Sequence, residues 1–198
     1  PPFSVLDARS TRWQERKKVW HSILASGNGR AKGLLGTGLQ SLGEDMGTSL
    51  TGTSIFDPCL AETLLNWFSP RGGKVIDPFA GGSVRGIVSQ FLDREYHGCD
   101  LSKEQIEANE NGFDAIDGSS DFFGDRIKRP HWYNGDSAHI DQIIPGNDFD
   151  MLLTCPPYAD LEVYSDDPAD ISNMEYEDFL AAYETILGKA IAKLKDNS

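Results

Sequence analysis

The stretch Lys74-Val75-Ile76-Asp77-Pro78-Phe79-Ala80-Gly81-Gly82-Ser83 constrains the fold more than any other part of the chain. Val75 and Ile76 form a short apolar run suited to a buried parallel strand, and Asp77-Pro78 ends it by removing a backbone donor and fixing φ. Gly81 and Gly82 then allow positive φ and close approach of a ligand to the backbone, while the apolar spacing from Val84 to Leu92 predicts a helix. A strand, a glycine turn and a helix N-terminus form the crevice in which open α/β sheets bind nucleotides. The dinucleotide pattern Gly-x-Gly-x-x-Gly is absent. A turn whose glycines only relieve backbone strain is the competing reading.

The strand–turn–helix pattern repeats downstream. Tyr96-His97-Gly98-Cys99-Asp100 reads as a second strand ending in a carboxylate, and Ser102-x-x-Gln105 opens the next helix as a capping box. Asp100 lies 23 residues beyond Asp77, close to the ~20-residue interval at which nucleotide-binding βαβ units place an acid on ribose hydroxyls. A charge at the N-terminus of the next helix is the other reading. Asp114 to Arg129 is expected as surface loop and Pro130 to Tyr133 as a third strand. Asp136, with Ser137 beside it, then serves either as a ligand residue or as the N-cap of Ala138 to Ile144. Phe149 to Leu153 is a fourth strand that delivers Thr154-Cys155-Pro156-Pro157-Tyr158. Consecutive prolines cannot extend a central ladder, so the chain leaves the sheet at that strand's carboxyl end, where α/β ligands bind.

The flanks organise around this core. Residues 1–52 read as a basic N-terminal arm and loop, and residues 53–198 as the ligand-binding core. In the arm, Thr11 to Ala25 is expected to be helical with Trp13 and Trp20 on one face, and Gly27 to Gly52 to be a long loop. Asp57-Pro58 caps a helix whose expected buried side is Leu60, Leu64, Leu65, Trp67 and Phe68. The last helix, Tyr176 to Lys195, is expected to set Phe179, Leu180, Tyr183, Ile186, Leu187, Ile191 and Leu194 against the sheet.

At 198 residues with 39% apolar side chains, the chain can bury one substantial core. No apolar run reaches the ~18 residues of a membrane span, no signal peptide opens the sequence, and Cys59, Cys99 and Cys155 are too widely spaced for a disulfide framework or zinc motif. A cytoplasmic protein with no membrane contact is therefore expected. His21, His97, His131 and His139 show no ligand spacing, and no metal site is expected. The formal charge of −13 disfavours indiscriminate nucleic-acid binding. Residues 1–32, however, hold Arg9, Arg12, Arg16, Lys17, Lys18, Arg30 and Lys32 against only Asp7 and Glu15. Such an arm either faces phosphate or is a solvated helix face.

Three segments together resemble a known family. Asp77-Pro78-Phe79-Ala80-Gly81-Gly82 is similar to motif I, Thr53-Ser54-Ile55-Phe56-Asp57-Pro58 to motif X and Cys155-Pro156-Pro157-Tyr158 to motif IV of the N6-adenine and N4-cytosine DNA methyltransferases. Pro2-Phe3-Ser4-Val5-Leu6-Asp7 with Trp13-Gln14-Glu15-Arg16-Lys17 is similar to phage and prophage members. The order X, I, IV, with 77 positions from Asp77 to Thr154, resembles the gamma arrangement, in which target recognition follows the catalytic half. The resemblance implies an α/β fold: the Rossmann-like sheet of S-adenosylmethionine-dependent methyltransferases, with helices on both faces. About four parallel strands are legible where the family has seven, so the chain is expected to be truncated, lacking the C-terminal strands and the recognition domain.

What the resemblance implies about chemistry is specific. S-adenosylmethionine would be held by Thr53, Phe56, Asp57, Asp77, Pro78, Phe79, Ala80, Gly81, Gly82, Ser83, Asp100, Leu101, Asp136 and Ser137, with Asp136 on the adenine amino group. Cys155, Pro156, Pro157 and Tyr158 would handle a base flipped from double-stranded DNA, with Tyr158 as the stacking face. The host would be a bacterium or a phage-infected cell, the context restriction–modification, and a second chain completing the sheet a further partner. Cys155 departs from the Asp, Asn or Ser of the family and is closest to the Thr-Ser-Pro-Pro-Tyr form, with a weaker acceptor. A cysteine nucleophile of the C5-cytosine type is rejected because here the cysteine precedes the prolines. A non-catalytic cofactor- or DNA-binding fragment, and an RNA or protein amide methyltransferase, are the alternatives.

Overall fold

Short β-rich runs separated by amphipathic helices can bury both strand faces only by stacking in parallel between helical layers, and that is the arrangement found. The computed structural model describes residues 6–24, 56–157 and 164–196. Its strands are β1 (Lys74–Asp77), β2 (Glu95–Asp100), β3 (His131–Asn134) and β4 (Met151–Leu152). They pair in parallel in the order β3-β2-β1-β4. The reversal of strand order at β1/β4 is the topological switch point beside which α/β sheets bind ligands. The expected α/β fold class, with a four-stranded parallel sheet and helices on both faces, is thus the one observed.

Alternation along each strand divides the core. Val75, Tyr96, Trp132 and Leu153 face one layer together with α1 (Thr11–Leu24), α2 (Pro58–Phe68), α3 (Val84–Phe91) and α4 (Lys103–Asp114). Ile76 and Cys99 face the other, against α5 (Ile140–Ile143) and Ala190 of α6 (Tyr176–Ile191). Every residue of α3 is buried, as befits a helix enclosed by sheet and helices alike.

Two helix faces differ from expectation. On α2 the buried residues are Pro58, Cys59, Ala61 and Leu65, while Trp67 and Phe68 are 55% and 61% exposed. Cys59 and Ala61 are small enough for close helix approach, and the stripe they define rotates the two C-terminal aromatics outward. On α6 the sequence carries two apolar stripes one residue apart, about 100° around the helix. Phe179, Ile186 and Ala190 turn inward, so Leu180 and Ile191 are left exposed.

After α6 the chain returns to the outer edge of β4. Phe149 N–H donates to the Lys193 carbonyl (3.1 Å) and Lys195 N–H to the Phe149 carbonyl (2.8 Å), forming a parallel bridge between Phe149 and Leu194. This isolated bridge lies outside the four strands that the sequence predicts.

The basic arm forms the helix expected in it. Over α1 it is a helix docked on α2, with Trp20 and Leu24 buried. Arg16 makes two hydrogen bonds to Glu62 (2.7 and 2.6 Å), whose carboxylate also takes the Trp20 indole N–H (2.6 Å). Lys17 Nζ lies 2.8 Å from Asp57. Two of the arm's cations are thus paired within the chain. Arg30, Lys32 and residues 27–52, expected from the sequence to be a loop, lie outside the described residues.

Candidate ligand site at the strand ends

β1 delivers Asp77 to the crevice fully buried. Its Oδ1 accepts from the Phe79 N–H (3.1 Å) and the Thr154 hydroxyl (2.6 Å), and its Oδ2 from Arg85 Nε (2.7 Å) and the Tyr96 hydroxyl (2.7 Å). Arg85 also donates to the carbonyls of Phe79 (2.6 Å) and Ala80 (3.1 Å), so the turn after β1 is pinned from inside. Burial works against the Arg85 charge, but Asp77 beside it prevails and its pKa is raised. Burial, reinforced by Asp77, pushes the Tyr96 phenol well up, which keeps it a neutral donor. A carboxylate taking four donors at zero exposure is a clamp that joins β1, β2, α3 and the end of β4, and no ligand reaches it in this arrangement.

Tyr96 reaches Asp77 through a slot left by two glycines. A Cβ at Gly98 would sit 2.7 Å from the Tyr96 ring and hydroxyl, and one at Gly86 would sit 2.9 Å from Trp132 and 3.1 Å from the Tyr96 ring.

β2 delivers Asp100 half-buried, and backbone donors hold it. Oδ2 accepts from Gly81 N–H (2.7 Å) and Oδ1 from Ser102 N–H (2.9 Å). Gly81 has φ +50°, and a Cβ there would meet nothing within 4 Å, so the turn's backbone faces open space. Its far side is fixed: Asn109 donates to the Gly81 carbonyl (2.8 Å), and Gln105 in turn donates to Asn109 (2.9 Å). The Ser102 half of the capping box is present as expected, accepting from Gln105 N–H (3.1 Å).

β3 joins the same rim. Gly135 N–H donates to the Asp100 carbonyl (2.9 Å), and the Asn134 amide donates to the carbonyls of Asp100 (3.1 Å) and Leu101 (2.8 Å). Asp136 caps the turn Ser137–His139 by accepting from Ala138 N–H (2.8 Å), and the buried Ser137 hydroxyl donates to the Pro78 carbonyl. Cys99, beneath this seam, donates to the Gly135 carbonyl (3.3 Å), and burial pushes its thiol up to about 12.

The remaining expected residues divide by location. Pro78 and Ala80 are buried in the β1 turn, Gly82 of that turn and Leu101 after β2 are half-buried, and Ser83 occupies the N-cap position of α3. Phe79 packs on Tyr183 of α6 (6.1 Å between ring centroids). Phe56 lies under Arg85 (4.8 Å). Asp57 caps α2 through Cys59 and Leu60 N–H (2.8 and 3.3 Å) and also takes Lys17 and the Trp13 indole N–H, so it serves the α1–α2 joint. Cys155, Pro156 and Pro157 follow β4 half-buried. Thr53 and Tyr158 lie outside the described residues.

Sequence reasoning missed Arg85, Tyr96 and Asn109 as site-shaping residues. An arginine inside an otherwise enclosed apolar helix was the available signal, since such a charge needs a buried partner. It also treated the histidines as unconnected. In fact β2–β3 register sets His97 beside His131 with rings stacked at 4.6 Å, and Glu95 Oε1 lies 2.7 Å from His97 Nε2. Register between parallel strands is a tertiary fact that residue spacing does not reveal.

The fold is that of a Rossmann-like α/β protein, with the glycine turn, Asp100 and the Asp136 cap gathered at the carboxyl ends of its strands. Its sheet is similar to that of TrmN from Thermus thermophilus, at 20% identity and TM-score 0.51 over 70% of this chain and 35% of that one. In sequence, the chain is 41% identical over 51 residues to the type II methyltransferase M.SmaI of Serratia marcescens. That match spans 26% of this chain and 18% of the relative's length. No family model matches. No helix among the described residues is long and apolar enough to cross a membrane.

Proposed function

We propose that this chain binds S-adenosylmethionine at the ends of β1, β2 and β3 and belongs to a DNA methyltransferase acting on the exocyclic amine of adenine (N6) or cytosine (N4). The observation that carries the reading is the 2.6 Å hydrogen bond from Thr154 to Asp77, which sets the proline turn after β4 against the glycine turn after β1. Two sequence anchors that are far apart in the chain are thereby linked by a hydrogen bond. The 51-residue match to a type II methyltransferase supports the same class.

The rim fits such a cofactor. Backbone donors hold Asp100 at the end of β2, and a carboxylate suits vicinal ribose hydroxyls because it accepts from two O–H groups at once. Open backbone at Gly81 accommodates the methionine end, and Asp136 stands at the third strand end for the adenine amino group. When bound, the cofactor supplies an activated methyl group. The Pro156 carbonyl, with Cys155 beside it, accepts N–H from the target amine and turns the nitrogen lone pair toward the methyl. Tyr158 stacks on the flipped base. Such placement is worth up to ~7–11 kcal/mol of barrier.

Incubation with methyl-labelled cofactor and unmethylated DNA, with RNA in parallel, tests the proposal. Label on an exocyclic amine of DNA supports it. Label on RNA alone redirects the substrate, cofactor binding without transfer reduces the chain to a binding module, and absence of cofactor binding sinks the reading.

A further inference from the structure

We propose that Glu95, His97 and His131 form a binding site for a borderline divalent cation such as zinc, on the α6 side of the sheet at the amino-terminal end of β2 and β3. The site is separate from the strand-end crevice and independent of the function proposed for it. Parallel register makes His97 and His131 direct cross-strand partners, and Glu95, two residues before His97, shares their face. Their donor atoms all lie within 4.8 Å of one another. Two imidazoles and a carboxylate are a donor set preferred by zinc and its first-row neighbours, and three protein ligands leave a position open to solvent.

One ligand is rigid and two are adjustable. His97 is buried, with Nδ1 3.2 Å from the Tyr133 hydroxyl and the Phe149 ring edge-on at 5.2 Å. His131 is exposed and Glu95 half-exposed. Metal–nitrogen bonds of ~2.0–2.1 Å put tetrahedral ligand atoms roughly 3.3 Å apart. Closing the remaining distance falls to His131 and Glu95, the more exposed side chains, while the sheet holds all three backbone positions.

The hydrogen bonds also define the protonation change. Without a cation, the Glu95 carboxylate 2.7 Å from His97 Nε2 can only accept, which assigns the proton to Nε2 and leaves Nδ1 to accept from the Tyr133 hydroxyl 3.2 Å away. A cation between Nε2 and the carboxylate takes that proton's place, the imidazole proton moves to Nδ1, and Tyr133 becomes its acceptor. A ligating histidine held through its second nitrogen is the usual outer-shell arrangement. Lys74, the register partner of Glu95 on the neighbouring strand, is engaged by Asp148 at 2.8 Å.

Calorimetric titration with zinc in a non-coordinating buffer at neutral pH, with cobalt(II) as the spectroscopic probe, tests the site. One equivalent should bind, with cobalt d–d bands of a four- or five-coordinate nitrogen/oxygen site. His131→Gln and Glu95→Gln should each weaken binding more than tenfold, and Tyr133→Phe about 10- to 100-fold. His139→Gln should leave it unchanged. Equal metal-free unfolding temperatures would show that the variants fold, which the exposure of His131 favours. Absence of stoichiometric binding overturns the proposal. So does binding that survives both His131→Gln and Glu95→Gln, which leaves a hydrogen-bonded trio only, or a sulfur-to-cobalt charge-transfer band, which places the metal on cysteine.

Discussion

β1 and β2 are neighbouring strands that end in the same residue type, and the two ends are built in opposite ways. At the end of β1, side-chain donors from three different elements close over Asp77 and exclude solvent. At the end of β2, two backbone N–H groups orient Asp100 at a rim that the glycine turn leaves open. A strand-end acid can therefore be mortar or mouth, and the source of its donors decides which. Side-chain donors consume the carboxylate in joining elements, whereas backbone donors aim it.

The comparison is broken most directly at its sealed end. Asp77→Ala leaves Arg85 buried without its counter-charge, and the expected loss is about 3–5 kcal/mol in denaturant unfolding. A loss under about 1 kcal/mol would show that Asp77 is no clamp. At the open end, Asp100→Ala should cost about 1.5–3 kcal/mol of S-adenosylmethionine affinity by calorimetry, with a smaller change in stability. An unchanged affinity removes the ribose assignment.

Thr154→Val preserves shape and deletes one donor to Asp77, so about 1 kcal/mol of stability should go. Because the proline turn would loosen, methyl transfer should fall more than cofactor affinity. In the same region Cys155→Ser restores an oxygen acceptor and should raise methyl transfer, and a slower variant counts against Cys155 as the weak link.

Thiol labelling sharpens the sealed-versus-open distinction without mutation. Burial raises Cys59 to about 11 and Cys99 to about 12, so at mildly alkaline pH mass spectrometry should find half-buried Cys155 modified first. The smallest effect belongs to the α1–α2 joint. Burial pushes the Asp57 carboxyl up, but Lys17 and the Cys59 N–H prevail and its pKa is lowered from 3.8. Its contribution is present above that unfolded value and is lost as pH falls through the lower folded one. Lys17→Gln should narrow that acid window and cost at most about 1 kcal/mol, read from thermal unfolding across acid pH.

Local chemistry made much of the architecture readable. Asp57-Pro58, the Asp77-Pro78 stop and the Ser102 cap each specify an element boundary through bonds made within a few residues, and all three boundaries are where the sequence put them. Asp77 and Asp100 looked alike because their difference lies in Arg85, Tyr96 and Thr154, which converge only after the sheet forms. The exposure of Trp67 and Phe68, the outward stripe of α6 and the His97–His131 stack are likewise set by which face a neighbour covers. Periodicity shows that a stripe exists, and tertiary packing chooses between competing stripes.

The slot that admits Tyr96 has a consequence for mutational tolerance. Gly86 and Gly98 touch no ligand in the proposed function, yet a single added methyl at either would press on the Tyr96 ring and draw its hydroxyl away from Asp77. A saturation scan selecting for activity should find these two positions among the least permissive in the chain. Rim residues such as Gly82 and Leu101, which stand nearer the crevice, should accept more replacements. The map of intolerant sites would then trace the latch behind the crevice more sharply than the crevice itself.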